Sequence, residues 1–287
     1  MVIRAKIKVR SLRCLAAGFS ALFLVSCSSA PLKKISVSEP QDISLSLIAG
    51  NMNVEKYKTS SDIKVYSLNE EQEKLTESKI EMSEFKLNRQ TLMVDLKNQA
   101  TFKYWVTDID GDVELANMGL PPRGKTLLEV VDRKARVIAV KDYPQETIFY
   151  LPKIALPNGP VEPGDTWKFK SVWRSLKTGW PFEIVLDMVL DSWVECGGLR
   201  CAYIKFKGAI MLPKNSPLKN AKLGSDVSGE FVYAPVGHQF IWTLSNSVET
   251  FKTDTKLVKV KSCTASYQIS PDKETEVFAK KIEKQCY

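Results

Sequence analysis

Apolar and polar residues alternate with a period of two along much of this chain. Phe182, Ile184, Leu186, Met188 and Leu190 alternate with Glu183, Val185, Asp187, Val189 and Asp191, the mark of a strand with one buried face. Beyond Gly197-Gly198, the residues Ala202, Ile204, Phe206 and Ala209 continue an apolar series that reads as the return strand. Further strands are predicted over 101–108, 112–118, 126–131, 135–141, 229–234, 238–250 and 255–269. Turn chemistry separates them at Asp110-Gly111, Asp132-Arg133-Lys134, Gly197-Gly198 and Pro235-Val236-Gly237. Strands this numerous at hairpin spacing predict a mainly β protein built from antiparallel curved sheets, half-barrel or sandwich-like.

Helical signals are few. Ser270-Pro271-Asp272 supplies an N-cap, a first-turn proline and an early acid, and Phe278 and Ile282 follow one turn apart, so a short helix is expected over 271–285. Segment 68–78 is acidic and reads as a surface helix or a loop. Leu156 to Trp167 carries three prolines and two glycines in a dozen residues, which excludes a regular element. That stretch sets the boundary between an N-terminal β half, 43–155, and a C-terminal β half, 156–270, with a tail over 271–287.

The N-terminus has its own logic. Residues 1–13 carry five basic side chains, and no acid precedes Cys27. Cys14–Val25 is an apolar run of 12 residues, short of the roughly 20 that a membrane-spanning helix needs. It ends in Leu24-Val25-Ser26-Cys27, which resembles the lipobox of bacterial lipoproteins. The resemblance implies a signal peptide over 1–26, diacylglyceryl attachment to the Cys27 thiol, cleavage after Ser26 and acylation of the new amine. Ser28 stands where an aspartate would resemble the inner-membrane retention signal, so outer-membrane sorting is implied. Residues 27–42, rich in Ser, Pro and Lys, read as a flexible tether between anchor and body.

Charge then loses most of its force. The chain of 287 residues has 41 Lys+Arg and 33 Asp+Glu, but removing Arg4, Lys6, Lys8, Arg10 and Arg13 leaves 41 − 5 = 36 basic residues and a net of +3. So weak a field argues against nucleic acid as a partner.

Four cysteines remain after Cys27, and an even count in an exported chain predicts disulfides. Cys196 and Cys201 bracket a Gly-Gly loop between two strands, which predicts a bridge at a hairpin neck and leaves Cys263 to Cys286. A zinc site fits less well, because C-x4-C with no neighbouring histidine departs from zinc spacings.

The stretch Leu156-Pro157-Asn158-Gly159-Pro160-Val161-Glu162-Pro163-Gly164-Asp165-Thr166-Trp167 resembles a pattern in uncharacterised bacterial lipoproteins, L-P-x-x-P-V-x-x-G-D-x-W followed by G-x-x-x-Y-x-P-x-x-G. The second part departs slightly here, as Gly229-Glu230-Phe231-Val232-Tyr233-Ala234-Pro235-Val236-Gly237. The resemblance covers mainly residues 150–250 and implies a β-rich envelope protein with no particular chemistry.

Candidate chemistry is thin. His238 is the single histidine and no G-x-S-x-G elbow appears in the mature part, which disfavours a serine hydrolase. Asp108, Asp110 and Asp112 resemble the opening of a calcium loop, but Val113 holds the place of its glycine and Gly119 that of its closing glutamate. A hairpin turn accounts for the segment more simply. Glu162 and Asp165 are candidate paired carboxylates for glycoside cleavage; Asp165 reads equally as a partner of turn amides and Trp167 as a core residue. The six tryptophans, with Trp180 in a Gly-Trp-Pro loop, suit core and rim positions or a groove. The basic loop 213–222 reads as solvated.

No catalytic, cofactor-binding or metal-binding residue is therefore assigned. The sequence predicts an outer-membrane, lipid-anchored and periplasm-facing protein that acts as a non-catalytic binding or interaction module of the cell envelope, with an envelope protein or an apolar ligand as its partner. Alternatives are a carrier of a lipid or other apolar ligand in a sheet groove and a carboxylate-dependent hydrolase.

Overall fold

The alternating runs become strands. The computed structural model describes residues 33–45, 47–68, 73–111, 120–121, 123–141, 156–174, 181–214, 216, 220–235 and 239–269. In chain order the strands are β1 (Lys34–Ile35), β2 (Met52–Leu68), β3 (Glu73–Val94), β4 (Ala100–Gly111), β5 (Leu127–Val131) and β6 (Val137–Lys141). They continue as β7 (Thr166–Arg174), β8 (Pro181–Cys196), β9 (Leu199–Met211), β10 (Lys222–Ala234), β11 (Gln239–Lys252) and β12 (Lys256–Gln268). Every pairing is antiparallel, in the order β1-β8-β9-β10-β11-β12-β2-β3-β4-β5-β6, with β7 also on the outer edge of β8.

The two expected halves are consecutive blocks of this one 12-stranded sheet. They join where β12 pairs with β2, from Lys256↔Ser67 to Gln268↔Glu55. One hydrophobic cluster contains Ala100, Phe102 and Val131 from one end of the strand order together with Phe169, Leu186 and Leu190 from the other. Residues that far apart across a sheet meet only if the sheet curls around that face, so this face is concave. A second cluster, with Val194, Val232, Trp242 and Leu244, occupies the opposite face of β8–β12.

A strap locks the two ends of the curl together. Gln41 exchanges backbone hydrogen bonds with Val161 at 2.9 Å in each direction, Leu45 N donates to Arg133 O at 2.7 Å, and Leu156 N donates to Lys134 O at 3.0 Å. Ile43 and Leu45 are buried in the concave core. Lys134 Nζ donates to Asp42 Oδ1 at 2.6 Å and to Ile43 O at 3.0 Å, and this ammonium holds the Asp42 carboxyl below its ordinary range. The part of the expected tether over 33–42 thus lies along the sheet, with Lys34 and Ile35 paired to Val194 and Trp193. Its remainder falls outside the described residues.

Four sequence readings need correction or placement. Segment 68–78 is neither helix nor loop where it is described: β3 begins at Glu73 and pairs with β2 through Leu68. Residues 73–80 are exposed on both faces, so no buried stripe betrays the strand. Asp110-Gly111 is not a turn but the end of β4, paired with Glu84 and Ser83. Asp108 and Ile109 together oppose Phe85 there, a bulge with Asp108 at φ 50°. Gly111 is required, since at φ +86° a Cβ would lie 2.2 Å from Met82 O. The strand expected over 112–118 and the helix expected over 271–285 lie outside the described residues.

Candidate ligand-binding site

The strand registers divide the concave face into rows, because residues paired across a sheet share a face. One row runs Tyr57, Ser266, Thr243, Phe231, Ile204, Leu190. Its Phe231, Ile204 and Leu190 are fully buried and form the sealed part of the core. On the strap side of this row lie the buried Glu55 and Tyr233 with the half-buried Arg89 and Tyr104. The carboxylate of Glu55 accepts a hydrogen bond from Tyr57 Oη at 2.5 Å. The guanidinium of Arg89 stands 5.2 Å from the centre of the Phe102 ring. Burial pulls the Arg89 pKa down, but the charge of Glu55 and the surrounding tyrosine hydroxyls outweigh it and leave the value raised. Burial pushes the Tyr104 hydroxyl up to about 12 against the opposing pull of Arg89. Burial likewise raises Tyr233, whose hydroxyl donates to Ser44 O of the strap at 3.2 Å.

Away from the strap the face changes character. The next two rows carry small polar residues over β2, β12 and β11: Thr59, Thr264 and Ser245, then Ser61, Ser262 and Ser247, with Gly229 and Val227 opposite them on β10. Ser61 Oγ and Ser262 Oγ are 3.0 Å apart. Beyond them, Val65, Val258, Phe251 and Leu223 align in one row, and Ile63 and Val260 in the row between. These apolar side chains are half-buried, unlike the sealed core. This part of the concave face is thus a half-buried trough-like stretch in which hydroxyl-bearing rows give way to apolar ones.

One carboxylate sits within it. Glu249 pairs with Val260 on one side and Ser225 on the other, and accepts a hydrogen bond from Ser247 Oγ at 2.9 Å. Burial raises its pKa and the Ser247 bond only partly offsets this. The folded chain therefore holds the Glu249 proton more tightly than the unfolded chain. Its contribution to stability is complete below the unfolded value and is lost as pH rises through the folded one. Glu249→Gln is expected to raise the thermal midpoint at about pH 8, with the gain fading toward about pH 4, where both states are protonated. Circular-dichroism melts across this range check it.

The predicted site residues fall elsewhere. Cys196 and Cys201 are joined across the β8–β9 neck with Cα atoms 6.2 Å apart, and the Gly197-Gly198 turn has both residues at positive φ. Cys263, on β12, is also disulfide-bonded, to a cysteine beyond the described residues; Cys27 and Cys286 are among those not described. Asp165 Oδ2 accepts a hydrogen bond from Glu162 N at 2.9 Å, and Gly164 N and Asp165 O bond to Leu190 at 2.8 and 3.0 Å. The carboxylate of Asp165 thus closes a turn onto β8, as expected of a partner of turn amides, and Trp167 packs on the concave core. The Leu156–Trp167 motif is a clasp between the strap, the β5–β6 turn and β8.

Asp108 pairs with Lys86 at 2.5 Å, and Asp110 Oδ1 accepts from Gly111 N at 2.9 Å, while Asp112 is outside the described residues. No three ligand-type side chains are gathered for a metal among the described residues. His238 and Trp180 also lie outside them. Trp193 and Trp242 are buried. The trough itself was missed: Ser61, Ser247 and Ser262 come from strands far apart in sequence, and the alternation of small polar with longer residues was its only local signal.

No protein-family model and no curated protein sequence matches the chain. Among solved structures, the crystal structure of Ail, the attachment invasion locus protein of Yersinia pestis, is similar at 11% identity. It covers 77% of this chain and 100% of that one with a TM-score of 0.17, too slight a likeness to bear on fold or function.

Proposed function

We propose that this chain is an outer-membrane lipoprotein, acylated at Cys27 with its body in the periplasm, and that it binds an acyl-bearing amphiphile on its concave face without catalysing a reaction. The order of basic segment, apolar run and Leu24-Val25-Ser26-Cys27 supports the anchor. The Cys196–Cys201 bridge suits an oxidising compartment. The observation that carries the binding reading is the half-buried apolar rows of Ile63, Val65, Phe251, Val258 and Val260 beside the row of Ser61, Ser262 and Ser247 on the concave face. A core that needed only stability would seal these positions as it seals Phe231 and Leu190. The apolar rows suit an aliphatic chain, and Ser247, Ser262 and Glu249 offer hydrogen bonds to an ester or hydroxyl head.

A benzophenone amino acid placed at position 260 of the full chain and irradiated in cells tests this. The expected product is heavier by one acyl lipid and disappears when Val258→Lys is added. An adduct to another protein in its place, or no adduct, would make the docking of an envelope protein the better reading.

A further inference from the structure

A second concavity lies on the opposite face of the sheet, independent of the trough. Along β4, Lys103, Trp105 and Thr107 point away from the buried side chains of Phe102 and Val106. With the turn before β5 they enclose an open cleft of about 480 Å³, whose wall is completed by Arg123, Gly124 and Lys125. Thr107 is held from the neighbouring strand β3, where Asn88 Nδ2 donates to Thr107 Oγ1 at 2.9 Å and to Trp105 O at 3.4 Å.

Several lysines of the sheet stand in ion pairs, as Lys56 and Lys58 do on Glu84 or Lys205 on Asp191. The cleft's one carboxylate, Asp108, is already neutralised by Lys86 at 2.5 Å. Arg123 and Lys125 are exposed and have no anionic partner among the described residues. The Lys103 ammonium stands 5.5 Å from the centre of the Trp105 ring, a contact that leaves its charge uncompensated. Three cations thus face one small hollow with an aromatic wall and the free backbone of a glycine. An entering anion would compensate these charges.

We infer that this cleft binds a phosphate ester, with Arg123 and Lys125 pairing to its oxygens and Lys103 and Trp105 bounding the group that bears it. The arginine fork matches two phosphate oxygens, while the lysines act as point charges. The same chemistry is offered by an anionic lipid headgroup and by a soluble sugar or glycerol phosphate.

The full chain in neutral detergent micelles, with glycine and tryptophan labelled by nitrogen-15, separates these sources. One arm is titrated with glycerol 1-phosphate, the other with micelles containing increasing dihexanoyl phosphatidylglycerol. Saturable shifts of the Gly124 amide and the Trp105 indole are expected, and the arm in which they saturate identifies the source. Each cation near such a group is worth roughly a factor of five, so Arg123→Gln with Lys125→Gln should weaken binding about 30-fold. Lys207→Gln with Lys222→Gln removes the same charge from exposed sites on β9 and β10 and should change little. Absence of a shift at Gly124 in both arms, or equal weakening by the two pairs of substitutions, would overturn the inference.

Discussion

Arg89→Met is expected to destabilise the fold by about 2 kcal/mol, the order of the cost of leaving the buried Glu55 side chain without the favourable charge of the nearby guanidinium. The reason lies with the partner. Glu55 is only 7% exposed and its Tyr57 hydrogen bond satisfies a single oxygen. Without the guanidinium, a carboxylate stays in the core opposite aromatic rings. Methionine preserves much of the side-chain volume, so the loss reports charge rather than packing. Adding Glu55→Gln should restore most of the stability, because the uncompensated charge is then gone. Urea unfolding of the two single variants and the double variant closes the cycle. If the double variant is no better than Arg89→Met alone, Glu55 and Arg89 are not an ion pair in the energetic sense.

The second large effect is expected at Gly208, on β9 between Leu186 of β8 and Val227 of β10. A Cβ built there would lie 1.9 Å from Val185 O and 2.9 Å from Leu186 Cα. Both are backbone atoms of the neighbouring strand, so no rotamer change can relieve the clash and the strands themselves must part. Gly208→Ala is expected to cost about 3 kcal/mol, at the upper end of overpacking, and to lower the thermal midpoint by roughly 8 °C. Gly224→Ala on β10 is the matched control, since nothing lies within 4 Å of the corresponding atom. Equal midpoints for the two variants would show that the close approach of β8 and β9 does not exist in solution.

These two sites also show what a sequence discloses and what it hides. The strands β8, β9 and β11 were legible because Ile184, Leu186, Met188, Ile204 and Leu244 put the apolar side chains on alternating positions. β2 was not, because its buried positions are Asn53, Glu55, Tyr57 and Thr59, and a polar residue facing inward looks in sequence like one facing water. The same inversion hid Glu55 and the tyrosines around it. β3 was hidden for the opposite reason, being solvated on both faces over its first eight positions, 73–80. The clasp at Leu156–Trp167 was recognised as irregular and as a boundary, but nothing local says that it ties Val161 to Gln41. In the basic cleft, Lys103 and Trp105 fell within a predicted strand, whereas Arg123 and Lys125 gained meaning only when β5 folded back beside β4.

The junction of β12 with β2 has a consequence for how the molecule is made. Its paired residues are separated by 256 − 67 = 189 to 268 − 55 = 213 positions, so the pairing that unites the two blocks is also among the most non-local. Loop closure over such lengths is slow to be repaid. Until the last strand is delivered, the second strand waits with its outer edge open to any passing chain. A nascent or newly exported molecule therefore has an obligatory interval of stickiness, and a holdase that covers that edge would determine its yield more than any single core contact.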